Sequence, residues 1–217
     1  MTFTLQKRHR TTVSSSKRIS NKKRARIRCA LIISGAAVFI LICACTVYSV
    51  WKETTQPEKK QIVLPQITIE TQLLQKNEYS RPGLPLKEVK GIVVHYTANP
   101  GSDAMENRNY FNNLPEINKG KTKEKSIYAS SHFVVGLEGQ IVQCIPLDEM
   151  SYASNERNSD TISIECCHPD SSGEFNNATY ESMVELIAYL CLKYNLTEED
   201  VIRHYDVTGK NCPKYFV

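Results

Sequence analysis

Residues 29–50 carry no charge, and within them Ala30-Leu31-Ile32-Ile33 and Ala36-Ala37-Val38-Phe39-Ile40-Leu41-Ile42 are almost wholly apolar. A bilayer-crossing helix needs about 20 apolar residues. The pattern therefore predicts one transmembrane helix over residues 29–51, with Tyr48 and Trp51 placed as interfacial anchors. A cleaved signal peptide is the competing reading. Its apolar region is usually only about 7–15 residues and ends at a small-residue site; no clear A-x-A pattern is present, although Ala44-Cys45 leaves a lipoprotein-type site conceivable. Residues 52–65 are polar, proline-bearing and aperiodic, which predicts a tether that reaches at most about 45–50 Å when extended.

From residue 66 the pattern changes to short apolar runs separated by turn residues. Ile67-Thr68-Ile69-Glu70 alternates weakly, and Ile92-Val93-Val94-His95-Tyr96 reads as a strand buried on both faces, Val93 and His95 looking one way and Ile92 and Val94 the other. Asn99-Pro100-Gly101 breaks it. Ser102 or Asp103 then caps a predicted helix with Ala104, Phe111 and Leu114 near one face. Residues 119–125 form a charged, solvated loop. Two strands at 131–136 and 140–144 are joined by the turn Leu137-Glu138-Gly139. In Thr161-Ile162-Ser163-Ile164-Glu165-Cys166-Cys167 the alternation is cleaner, with Ile162, Ile164 and Cys166 on one face and Glu165 on the other. Tyr180, Met183, Val184, Ile187, Ala188, Cys191 and Tyr194 recur at helical spacing, with Thr179 as the candidate cap. Acids at Glu198, Glu199 and Asp200 suit the first turn of a short second helix, which leads to Val201-Ile202-Arg203-His204. Strands alternating with helices predict an α/β domain of about 150 residues.

Charge sharpens this division. Residues 1–28 hold ten of the 27 Lys and Arg and no acid, so the remainder carries 17 bases against 23 acids, about −6, despite a net charge of +4. Next to an apolar span, a basic tail is an orientation signal that stays cytoplasmic rather than a nucleic-acid arm. Of eight cysteines, Cys29, Cys43 and Cys45 fall in the predicted span. The odd set Cys144, Cys166, Cys167, Cys191 and Cys212 suits one metal-bound thiolate with either free thiols or up to two bridges. The sequons at Asn177 and Asn195 are read as chance matches.

His204 and Cys212 lie eight residues apart across a glycine-containing loop, and His95 ends an early strand. Two histidines and a cysteine suit zinc and leave a fourth tetrahedral position open, as catalysis requires. Glu165 supplies a carboxylate and Lys210 a cation.

Four segments in order, Gly91-Ile92-Val93-Val94-His95-Tyr96-Thr97, Ser131-His132-Phe133-Val134-Val135, Ile162-Ser163-Ile164-Glu165 and His204-Tyr205-Asp206-Val207-Thr208-Gly209-Lys210-Asn211-Cys212-Pro213, resemble the zinc N-acetylmuramoyl-L-alanine amidases of the type 2 amidase family. The resemblance covers residues 66–217. It implies a central mixed β-sheet flanked by helices, zinc held by His95, His204 and Cys212, and hydrolysis of the bond between the muramic acid lactyl group and L-alanine in peptidoglycan. Zinc would acidify water and polarise the amide carbonyl, Glu165 would move the proton from water to the leaving amine, and Lys210 would stabilise the oxyanion. Some relatives carry a catalytic tyrosine just before the histidine of the second segment; Ser131 stands there, so proton transfer falls to Glu165 and His132 is a structural histidine. Relatives usually continue into another helix beyond the Cys-Pro motif, so the catalytic domain is expected to be truncated at its C-terminus. The expected organisation is a cytoplasmic basic tail (1–28), a membrane anchor (29–51), a linker (52–65) and a catalytic domain (66–217). The whole is expected to act as a monomer on the wall side of the cell membrane, with peptidoglycan as its partner and no nucleic acid. A non-catalytic peptidoglycan-binding module and a zinc peptidase acting on the stem peptide are the alternatives.

Overall fold

The computed structural model describes residues 14–55 and 66–217; in the first stretch the side chains of 14–22, 27, 30–33, 36 and 53–55 lie outside the description. The chain divides into two compact units, at residues 1–61 and 62–217. The first is a single helix, α1 (Ser14–Thr55), 42 residues long. Among the described residues no helix is long and apolar enough to cross a membrane. The separate span expected over 29–51 is thus not found as an element of its own. The physical reason is that residues 14–55 contain no proline and only Gly35 as a glycine, so nothing breaks the helix where charge gives way to apolar sequence. The basic residues Lys23, Arg24, Arg26 and Arg28 and the first tether residues 52–55 share one helix with the apolar run. The rest of the expected tether, 56–65, and residues 1–13 lie outside the described residues.

The second unit is built on six strands, β1 (Ile69–Thr71), β2 (Gly91–Tyr96), β3 (Phe133–Val135), β4 (Ile141–Gln143), β5 (Thr161–Cys166) and β6 (Val201–Arg203), in the order β1-β4-β3-β5-β2-β6. Only β3 and β4 are antiparallel. Their hairpin closes through Gly136 N–H to Gln140 O at 2.9 Å, with Gly139 at φ +79°, a backbone state that glycine adopts without strain. The sheet is mixed, as expected.

One sheet face presents Ile92, Val94, Phe133, Val135, Ile162, Ile164 and Cys166 to Met183, Leu186 and Leu190 of α4 (Asn177–Tyr194). The other presents Val134 and Val142 to Ala104 and Phe111 of α2 (Ala104–Asn112). The period-two split read from β2 and β5 holds, because each face buries against its own helix. Local details differ from the pattern. Asp103 caps α2 in a reciprocal capping box with Glu106, but the helix stops at Asn113, and Leu114 opens a short separate helix, α3 (Leu114–Ile117), with Pro115 in its first turn. The cap of α4 is Asn176, whose Oδ1 accepts from Thr179 N–H at 2.9 Å. Thr179 itself is buried and donates its hydroxyl to Gly136 O, so it ties helix to hairpin instead of capping. The residues after β6 are not simply a loop: α5 (His204–Thr208) makes one helical turn that ends at Gly209, φ +74°.

Candidate functional site

Parallel pairing of β2 with β5 sets His95 opposite Glu165, and pairing of β2 with β6 brings the chain end of β6, and with it His204, to the same edge. This is the carboxyl end of three parallel strands, the edge at which open α/β sheets place their ligands. α5 starts on His204 and turns back so that Tyr205 N–H donates to Cys212 O at 2.9 Å, which returns Cys212 to the histidine that began the turn.

His95, His204 and Cys212 are all buried, and one donor atom from each lies within 4.8 Å of the others. Cys212 Sγ stands 3.8 Å from His95 Nδ1, close to the roughly 3.5 Å that zinc bond lengths of about 2.3 and 2.05 Å subtend at a tetrahedral angle. The two imidazole centroids are 4.7 Å apart at 62°. The outer nitrogens are both occupied: His95 Nε2 pairs with Ser154 Oγ at 3.2 Å and His204 Nε2 with Asn155 Oδ1 at 3.0 Å. That leaves Nδ1 of each ring facing the thiol. His204 Nδ1 is buried without a hydrogen-bond partner, a costly state that a coordinated ion would relieve.

The electrostatics fit a cation. Burial, then His204 and Lys210, hold His95 well below the ordinary histidine range, and burial with Lys210 lowers His204, opposed by Glu156. Both rings are therefore neutral, the state in which imidazole binds metal. The Cys212 thiol is pushed up to about 12 by burial and then by Glu165, against the Tyr96 backbone and Lys210. With no dication the thiol keeps its proton; a dication at this point reverses that balance. Glu165 Oε2 is shut off from solvent and unpartnered, and burial raises its carboxyl to about 8, opposed by Lys210. Lys210 is exposed in the loop between Gly209 and Cys212, and a cleft of about 340 Å³ is lined by all five of the residues singled out in the sequence.

Residues 85–215 match the N-acetylmuramoyl-L-alanine amidase family model. The chain belongs to that family. Among curated amidases it is similar to N-acetylmuramoyl-L-alanine amidase CwlL of Bacillus licheniformis, 37% identical over 153 residues covering 65% of this chain and 40% of the relative. It is also similar to BlyA of Bacillus subtilis (strain 168), 35% identical over 162 residues covering 65% and 41%. This amidase-family chain therefore spans about two fifths of the length of those relatives. Among solved structures, the catalytic domain of XlyA superposes with a TM-score of 0.55 at 27% identity, covering 68% of this chain and 91% of that one. PlyL gives 0.55 at 26%, covering 68% and 87%.

The loop that orients the ligand histidines of this amidase-family domain was not legible beforehand. Ser154 and Asn155 sit just before and at the start of a 3-10 turn, Asn155–Ser159, with Asn155 at φ +53°. Asn158 braces the loop by accepting Ala153 N–H at 3.0 Å and Ser154 N–H at 2.6 Å. The available signal was the cluster Ser151 to Asn158, rich in residues that bond their own backbone. His132 is not part of the donor group. Ser163 N–H donates to its Nδ1 at 3.0 Å and its Nε2 donates to Glu149 O at 2.9 Å, a fully buried structural pairing. All eight cysteines are free thiols.

Proposed function

We propose that the domain is a zinc-dependent amidase that hydrolyses the amide between the lactyl group of N-acetylmuramic acid and L-alanine in peptidoglycan. The observation that carries this reading is the convergence of three buried donors, His95 Nδ1, His204 Nδ1 and Cys212 Sγ, beside the unpartnered Glu165 Oε2. Two imidazoles and one thiolate suit zinc and leave it an open position. Zinc held there would supply Lewis acidity, lowering the pKa of water and polarising the amide carbonyl.

The chain's own residues supply the rest. Glu165, in a site that excludes water, takes a proton from the attacking water and returns it to the leaving nitrogen of L-alanine. Its buried carboxyl binds a proton tightly enough to serve as acid once it has acted as base. Lys210, in the cleft wall two residues before Cys212, presents its ammonium to the carbonyl oxygen as negative charge develops. Ser154 and Asn155 hold the two rings in the required tautomer.

The test is digestion of purified sacculi by the zinc-loaded chain and by Glu165→Gln. The expected result is retained zinc with a loss of about 10²–10⁴-fold in rate, and products whose peptides begin at L-alanine. A variant as fast as the wild type removes Glu165 from the reaction, and L-alanine left on the sugar makes the enzyme a peptidase instead.

The proposed location is the wall side of the cell membrane. An uncharged stretch at 29–50, about 33 Å long at 1.5 Å per residue, supports this. So does the exposure of Phe39, Ile40 and Leu41, at 67, 66 and 63%, on a helix that needs an apolar neighbour. If the whole chain, expressed in a bacterium, leaves the membrane fraction on alkaline carbonate extraction, this placement fails.

A further inference from the structure

The cleft over the donor cluster has a wall that the mechanism does not use. Tyr128 contributes a ring 37% exposed, set 5.9 Å from Tyr152 at 86° and 5.5 Å from Tyr79 at 49°. The backbone around it is pinned. Ala129 N–H donates to Tyr79 O at 3.1 Å, Ser130 N–H to Tyr152 O at 3.0 Å and Tyr152 N–H to Ser130 Oγ at 2.9 Å. Asn118 clamps the preceding residue, donating to Ile127 O and accepting Ile127 N–H, both at 2.8 Å. An aromatic face held this firmly meets a ligand with little loss of conformational entropy.

The same cleft is lined by Asn155 and Asn158. Asn158 Oδ1 is committed to two backbone N–H groups, and an amide NH₂ cannot accept them, so the orientation of the carboxamide is assigned. Its Nδ2 is a donor for which no protein acceptor is found among the described residues. Asn155 Oδ1 is likewise taken, by His204 Nε2. Apart from Lys210 no cation lines the cleft. A neutral acceptor beside an apolar ring face therefore suits the Tyr128 side better than the carboxylates of a stem peptide do.

We propose that Tyr128 and Asn158 form a subsite for a 2-acetamido sugar, whose C–H face stacks on the Tyr128 ring while its acetamido carbonyl accepts from Asn158 Nδ2. This rests on the amidase reading only in identifying that sugar as the muramoyl side of the bond that is cut.

Two substrates with the same scissile bond test it, N-acetylmuramoyl-L-alanyl-D-isoglutamine and N-lactoyl-L-alanyl-D-isoglutamine, the second lacking the sugar. The zinc-loaded whole chain should prefer the first. Tyr128→Ala and Asn158→Asp should each raise KM for it and reduce that preference, by about tenfold for one stacking contact or one hydrogen bond, while Tyr128→Phe keeps it. Asn158→Asp retains an oxygen for the Ala153 and Ser154 N–H groups and removes only the donor, so loop disruption does not confuse the result. A preference unchanged in Asn158→Asp and Tyr128→Ala, or a loss shared equally by both substrates, overturns the subsite. A second arm titrates N-acetylmuramic acid and its de-N-acetylated form into the Glu165→Gln chain by NMR. Selective binding of the acetylated sugar, lost in the added Asn158→Asp change, supports the subsite even if neither substrate is cut, in which case the amidase reading alone falls. Equal or absent binding of the two sugars counts against the subsite whatever the hydrolysis shows.

Discussion

The buried His132 ties stability to pH, and the size of the effect follows from its contacts. Its ring is wholly buried between Ser163 N–H, which it accepts at Nδ1, and Glu149 O, to which Nε2 donates. Burial pushes its pKa from 6.5 down to about 4, only partly opposed by the Glu149 carbonyl. The folded value lies below the unfolded one, so the unfolded chain takes up the proton first. The stabilisation is complete above pH 6.5, declines as pH falls toward 4, and is fully lost below that. At about 1.36 kcal/mol per pH unit, the window from 6.5 to about 4 is worth roughly 3.4 kcal/mol. The assay is urea unfolding of the wild type and His132→Gln across pH 7.5 to 3.5. Both are stripped of metal, so that protonation of His95 and His204 is common to the two curves. The variant should be about 1–3 kcal/mol less stable at pH 7.5, where Ser163 N–H loses its acceptor. The gap should close or reverse as the pH approaches 4. Curves that stay parallel over that window would refute the assignment of a neutral, Nε2-protonated imidazole.

Three further outcomes are expected. Asn155→Ala, which strips His204 Nε2 of its partner, should weaken zinc binding by about 10–100-fold, measured by competition with a chromogenic chelator; unchanged affinity would show that Asn155 does not orient the ligand. Asn176→Ala removes the cap of α4 and should cost about 1 kcal/mol of stability with zinc content unaltered, as read by denaturant midpoint and metal analysis. Zinc at 100 times its Kd should stabilise the fold by about 2.7 kcal/mol, so chelation should lower the unfolding temperature, and an identical temperature with and without chelator would mean that no metal binds the native site.

The parts of the site that were legible beforehand are those carried by strand periodicity and by residue chemistry. In β2, alternation alone separates Ile92 and Val94, which pack toward α4, from His95, and in β5 it separates Ile164 and Cys166 from Glu165. What periodicity lacks is the third dimension of the loops. Ser154 and Asn155 reach the histidines only because Asn158 folds the segment back on itself, and the wall around Tyr128 exists only because Asn118 clamps Ile127 from nine residues away. Both are side chain to backbone bonds, which leave no hydrophobic trace. The helical turn at His204 was hidden for a related reason: five residues are too few to show a period, and its stop signal, Gly209, also reads as an ordinary loop glycine.

Register carries more of the chemistry than any single residue does. His95 and Glu165 are neighbours because Gly91 pairs with Thr161 and every later pair follows in step. A slip of one residue between β2 and β5 would turn Glu165 onto the face occupied by α4, burying a carboxylate among Met183, Leu186 and Leu190, and would turn Ile164 or Cys166 toward the donors. The apolar side of β5 is therefore what fixes the position of the base. Gly91 contributes to this, since a Cβ there would come within 2.8 Å of the Asp200 carbonyl, a backbone atom with little freedom to move. Gly91→Ala should accordingly push β6 away from β2 and, with it, His204 away from His95. Because Cys212 hangs from the same turn through Tyr205 N–H, the substitution should reduce zinc affinity although it touches no ligand. A variant that binds zinc as tightly as the wild type would show that the β2–β6 edge does not set the spacing of the donors.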